Sequence, residues 1–166
     1  MTYSFQPIHL RCLVALGSFC ILTLIGCGSK TEEVIYNYPT GELSRRHHEV
    51  NGKKEGVMTE YYKDGKIKGK RLFKNDVQIG KSTFYYPSGK IKEVQYYDEG
   101  KITGGDTLFY ETGQPEFLRT YTKGILDGYL RKWAPDGTLI YEAKYSNDTL
   151  VEVKGEPLKR DTTLQK

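Results

Sequence analysis

The sequence predicts an all-β fold, an elongated antiparallel sheet of β-hairpins written as five repeats of 24 residues. Three observations predict it. Gly41, Gly65, Gly89, Gly113 and Gly137 stand 24 residues apart without a slip, and Gly56, Gly80, Gly104 and Gly128 keep the same period. A turn pair recurs in step with them at Asn51-Gly52, Asn75-Asp76, Glu99-Gly100, Lys123-Gly124 and Asn147-Asp148. Composition agrees, since 14 Tyr and 18 Gly against 2 Met in 166 residues favour strands and tight turns and exclude an all-α bundle. The formal charge of +4, read as spread along the chain, is too small and diffuse to argue for a nucleic-acid partner.

Residues 1–26 carry no Asp or Glu and a single basic residue, Arg11, ahead of an apolar run that ends at Ile25, the pattern of a signal peptide. The run is shorter than the ~20 residues a membrane-spanning helix needs, so cleavage is expected rather than a permanent span. Leu24-Ile25-Gly26-Cys27 resembles the bacterial lipoprotein box, which implies that Cys27 becomes the acylated first residue and the chain's contact with the membrane. Several acyl chains, at ~0.8 kcal/mol per buried methylene, make a lasting anchor. Cys12 and Cys20 fall in the segment to be removed, leaving no free thiol for a disulfide, thiolate metal site or thiol catalysis. Residues 27–35 read as a lipidated polar tether, and Gly28 after the cysteine favours the outer membrane over the inner one.

Residues 36–155 are the repeat array. Each unit opens with aromatics before a turn, as in Tyr61-Tyr62-Lys63-Asp64-Gly65 and Tyr85-Tyr86-Pro87-Ser88-Gly89. Pro39, Pro87 and Pro135 lie two residues before the glycine, which fits a three-residue hairpin loop with the glycine left-handed. A second strand follows, such as residues 66–73, and ends at the Asn/Asp/Gly turn. An even period requires the changes of face within one repeat to cancel. Either both loops have three residues, or a two-residue second turn is compensated by a bulge at the Gly56 series.

Taking the first loop as fixed, one face is expected to collect Tyr61, Tyr85, Phe109 and Trp133, Ile67, Ile91 and Leu139, and Phe73, Tyr97, Tyr121 and Tyr145 as a packed stripe. The other face would carry Tyr62, Tyr86 and Tyr110 beside Lys66, Lys68, Lys70, Lys90 and Lys92. The first repeat, with Asn37 and Glu49 at aromatic positions, reads as a polar cap. About ten strands would extend ~45 Å. Pro115 should weaken the ladder locally or mark an edge. Residues 156–166 read as a disordered tail.

Tyr-x-x-Gly-Lys followed by Gly-Lys-x-x-Gly, best seen in Tyr86–Lys90 and Tyr97–Gly104, resembles MORN repeats of the longer bacterial variant. Bacterial strings of such repeats resemble the YwqK family of toxin–antitoxin antitoxins, which implies an antitoxin or immunity-type alternative. His47-His48-Glu49 is the one cluster of metal-ligand types in the mature chain. Neighbours on a strand point to opposite faces, so no metal site is expected. No nucleophile elbow or phosphate loop is present, so no enzyme, catalytic residue or cofactor is expected. The candidate partner-binding surface is the Tyr/Lys face at Tyr62, Tyr86, Tyr110, Lys66, Lys68, Lys90 and Lys92, with a protein or glycan as partner at the cell envelope.

Overall fold

Each 24-residue unit folds as two antiparallel strands joined by two turns of different chemistry. The computed structural model describes residues 29–154 and the backbone of Glu156 and Pro157; the expected signal peptide, Cys27 and most of the expected tail lie outside the described residues. The strands are β1 (Thr31–Asn37), β2 (Leu43–Val50), β3 (Lys53–Tyr61), β4 (Ile67–Lys74), β5 (Val77–Tyr85), β6 (Ile91–Asp98), β7 (Lys101–Ile102), β8 (Gly104–Phe109), β9 (Pro115–Thr122), β10 (Ile125–Trp133), β11 (Leu139–Ser146), β12 (Thr149–Val153) and β13 (Glu156–Pro157). They form one open antiparallel sheet, a path of twelve strands in chain order with the short β7 off the path, paired with β6 alone. The sheet starts at Thr31, inside the stretch read as a tether. Val34, Ile35 and Tyr36 pair there with His47, Arg46 and Arg45.

The first turn is the three-residue loop. Gly65 N–H donates to the Tyr62 carbonyl at 2.9 Å and Tyr62 N–H to the Lys66 carbonyl at 2.8 Å, and the same pair of bonds closes the loops after Tyr38, Tyr86, Tyr110 and Ala134. Gly65 has φ +82°, a left-handed position that costs glycine nothing. The second turn has two residues, both left-handed, as at Asn75 (φ 49°) and Asp76 (φ 68°), the geometry whose twist matches antiparallel strands. Asp76 replaces the usual glycine there, and its Oδ1 accepts the Lys54 N–H at 2.9 Å. Asp148 does the same for Leu126 at 2.9 Å.

The compensating shift of register is not at the Gly56 series. Between the pairs Arg46–Thr59 and His48–Glu55, three residues of β3 face one of β2, an excess of two that leaves the faces unchanged. The one-residue shift lies just past the first loop, where Tyr61 pairs with Ile67 but Glu60 with Gly69. It recurs at the corresponding place in all five hairpins, at Asn37, Tyr61, Tyr85, Phe109 and Trp133.

This shift splits the expected aromatic stripe. Tyr61, Tyr85, Phe109 and Trp133 stay opposite Ile67, Ile91, Pro115 and Leu139. Phe73, Tyr97, Tyr121 and Tyr145 instead lie opposite Gly56, Gly80, Gly104 and Gly128 and share the face of Met58. An aromatic ring across from a strand glycine covers backbone that the glycine leaves bare.

The most covered line of the sheet runs down the Met58 face. Met58 pairs with Arg71, Ser82 with Gln95, Asp106 with Arg119 and Leu130 with Ala143. His47, Met58, Ser82, Asp106 and Ala143 are all at most 4% exposed. A single layer of strands has no second layer to bury against, so all of these best-covered positions except Met58 are small or polar. Pro115 opens β9 without breaking it, a position that needs no ladder donor. The interruption falls instead at Thr103 between β7 and β8, beside Gly104-Gly105, where two glycines weaken strand continuity.

Candidate functional site

The hairpins place the predicted tyrosines first. Tyr62, Tyr86 and Tyr110 each precede a three-residue loop, and each hydroxyl crosses to the neighbouring repeat. Tyr62 Oη donates to the Tyr85 carbonyl at 2.7 Å, Tyr86 to Phe109 at 2.6 Å and Tyr110 to Trp133 at 2.9 Å. Tyr38 starts the series by donating to the Tyr61 carbonyl at 2.7 Å. All four rings are half-buried. Burial, then the charges of Glu116 and Glu111, pushes the Tyr86 hydroxyl above its ordinary range. Burial followed by Glu116 does the same for Tyr110, so both remain donors. A hydrogen bond of this kind contributes about 1 kcal/mol, and the column ties each repeat to the next. With their hydroxyls engaged, these half-buried side chains present rings rather than free oxygens. The fifth position of the column is Ala134, where the array ends.

The lysines divide. Lys66 Nζ pairs with Asp64 at 3.1 Å on the loop. Lys68 and Lys92 converge with Tyr62, Phe84, Tyr85 and Glu93 around a recess of about 90 Å³, and Lys92 Nζ lies 5.8 Å above the Tyr86 ring. Lys90 stands apart beside Ile91, Phe109 and Gly113, at an apolar depression of about 410 Å³. Thus Tyr62, Lys68 and Lys92 come together, whereas Lys66 and Lys90 serve separate places.

Strand alternation separates the histidines. His47 is buried and its Nε2 lies 2.9 Å from Glu49 Oε1, while His48 is exposed on the other face. Among the described residues no group of three or more His, Cys, Asp or Glu is placed to hold a metal ion.

Two features escaped the sequence reading. Charge is segregated rather than spread: residues 53–92 hold eleven Lys/Arg and four Asp/Glu, a surplus of seven positive, and residues 93–152 hold six and eleven, a surplus of five negative. Counting by repeat instead of over the whole chain would have found it. The second is the polar line on the Met58 face. Asp106 is 4% exposed and its Oδ2 pairs with Arg119 at 3.4 Å, while its Oδ1 is buried without a partner among the described residues. Glu93, opposite Leu108, is its diagonal neighbour. Burial first, then the charge of Asp106, raises the Glu93 carboxyl above its usual range.

Residues 54–75 and 78–99 match the MORN repeat variant. A MORN repeat variant is found at two repeats. Each match covers most of a strand–loop–strand hairpin, β3–β4 and then β5–β6, and the all-β sheet agrees with it. No curated protein matches the chain. MORN repeats suggest a β-repeat scaffold of the protein-binding or membrane-associated kind.

Proposed function

We propose that the chain is a non-enzymatic, lipid-anchored β-repeat scaffold that binds a protein or glycan partner at the bacterial cell envelope, held there through Cys27 and facing from the outer membrane. The observation that carries the binding half is a sheet one layer thick that leaves large apolar side chains open to solvent. Val57 is 50% exposed, Tyr96 44% and Val77 42%. Apolar surface presented in this way, beside charged and aromatic groups, is characteristic of interaction surfaces. The anchor half is supported by the Leu24–Cys27 box and by the polar sequence that follows it at once.

One experiment addresses both halves. The full chain and Cys27→Ser are expressed in the native bacterium, labelled with palmitate and fractionated, and the partners are identified by crosslinking and mass spectrometry. Wild type should take up label, sediment with outer membranes and give reproducible crosslinks to sheet residues. Cys27→Ser should lose the label and the membrane fraction. Equal membrane partition of the two proteins rejects the anchor, and an absence of sheet crosslinks rejects the scaffold.

A further inference from the structure

The first two junctions of the sheet share one register and differ in what fills them. Arg45 pairs with Glu60 across β2 and β3, and one repeat later Gly69 pairs with Phe84 across β4 and β5. At the second junction the Phe84 ring lies against Gly69 so closely that a Cβ there would meet Cδ1 at 2.8 Å, and the recess left is about 90 Å³. At the first, Arg45 and Glu60 stand in place of that glycine and ring. A recess of about 350 Å³ remains, walled by Tyr36, Tyr38, Tyr61, Arg45, Glu60 and Lys68.

The walls have a definite chemistry. The Tyr38 hydroxyl is committed to the Tyr61 carbonyl, so this tyrosine offers its ring rather than its oxygen. Glu60 is held by Arg71 at 3.2 Å. Arg45 and Lys68 have no ion-pair partner among the described residues. The Arg45 guanidinium is braced 4.1 Å above the Tyr36 ring, and its Nε is buried without a hydrogen-bond partner. With Tyr36 taken up by Arg45, the Tyr38 and Tyr61 rings together with two cations that lack an ion-pair partner suit a ring that has an apolar C–H face and carries an anion.

We propose that this recess binds a hexuronic acid unit of an acidic glycan, its C–H face on the Tyr38 and Tyr61 rings and its carboxylate on Arg45 and Lys68. The proposal rests on the scaffold reading above and names the ligand of one place on it. The recess is confined to one junction, since Phe84 narrows the corresponding recess at the next repeat to about 90 Å³, and that confinement favours a single sugar ring over an extended peptide.

The probe is an oligogalacturonate titrated calorimetrically into the full chain, with its methyl ester as the neutral control. The acid should bind saturably and the ester at least about tenfold more weakly, as the loss of a charge-assisted contact requires. Arg45→Gly with Glu60→Phe copies the second junction, should fill the recess and should abolish the heat while the melting temperature is kept. Arg45→Ala with Lys68→Ala removes both cations, leaves Glu60–Arg71 intact, and should weaken binding at least about tenfold; it decides the matter if the filled variant does not fold. No binding by wild type, unchanged binding by a folded filled variant, or tighter binding of an acidic peptide than of the oligogalacturonate overturns the proposal. Envelope crosslinks that survive in a filled variant unable to bind the sugar would leave both readings standing at separate places. Failure of the crosslinks in wild type that still binds the sugar would reject only the scaffold's envelope partner.

Discussion

The tyrosine column at 38, 62, 86 and 110 and the paired column at Arg45/Glu60, Gly69/Phe84, Glu93/Leu108 and Phe117/Lys132 run through the same hairpins, yet the first repeats one residue and the second changes at every step. The constant column donates a hydroxyl to the next repeat each time, a contact every junction needs. The variable column sets whether a junction is open, filled or charged. Repetition thus holds the sheet together, and departures from it give each junction its own chemistry.

Placing alanine at two corresponding positions of the variable column, which adds a methyl at Gly69 and truncates Arg45, tests that division most severely. Gly69→Ala drives a Cβ to 2.8 Å from the Phe84 ring and should destabilise the protein by about 1–3 kcal/mol in denaturant titration. Arg45→Ala stands at the corresponding place beside an open recess and should cost less than about 1 kcal/mol. Equal costs at the two sites would mean that the junctions do not differ as described.

A smaller effect is expected from acid–base chemistry at the third junction. Because the Glu93 carboxyl is raised, the folded protein keeps a proton there that the unfolded chain has released at pH values between the ordinary glutamate range and the folded value. Its contribution to stability is therefore fully present below the ordinary glutamate range and is lost as pH rises through the folded value. Asp64, Asp76 and Asp136 shift the other way, chiefly because each accepts a backbone hydrogen bond, and their contribution is lost only as pH falls below the ordinary aspartate range. Glu93→Gln should raise the melting temperature at pH 7, and that advantage should vanish near pH 4. A Gln variant less stable than wild type at pH 7 would show that the Glu93 charge is well accommodated by Arg119.

The period, the places of both turns and the strand count per repeat were legible because turn residues declare themselves, glycine at the left-handed loop position and Asn, Asp or Gly at the second turn, whose length of two residues rather than three only the structure decides. The faces were not. The residue added just past the first loop is Ser44, Lys68, Lys92, Glu116 or Ile140, with no type in common, so the shift that moves Phe73 away from Tyr61 leaves no mark in the sequence. Ser82 and Asp106 look like surface residues and are among the best-covered side chains, since a single-layer sheet buries what lies beneath its neighbours rather than what is most apolar. The first repeat read as a polar cap because Asn37 and Glu49 break the pattern. In the structure Glu49 holds buried His47, and Asn37 lines the open recess. The tyrosine column was visible in the spacing, but spacing alone cannot reveal a bond made to a neighbour 23 residues away.

The constant column is the central claim, and removing single oxygens from it is the most direct test. Tyr38, Tyr62, Tyr86 and Tyr110 are each changed to Phe, with the exposed Tyr96→Phe as control, and unfolding is followed in guanidinium chloride. Each of the four should lose about 1 kcal/mol and the control almost nothing. Four variants as stable as wild type, or a control that loses as much as they do, would contradict the account.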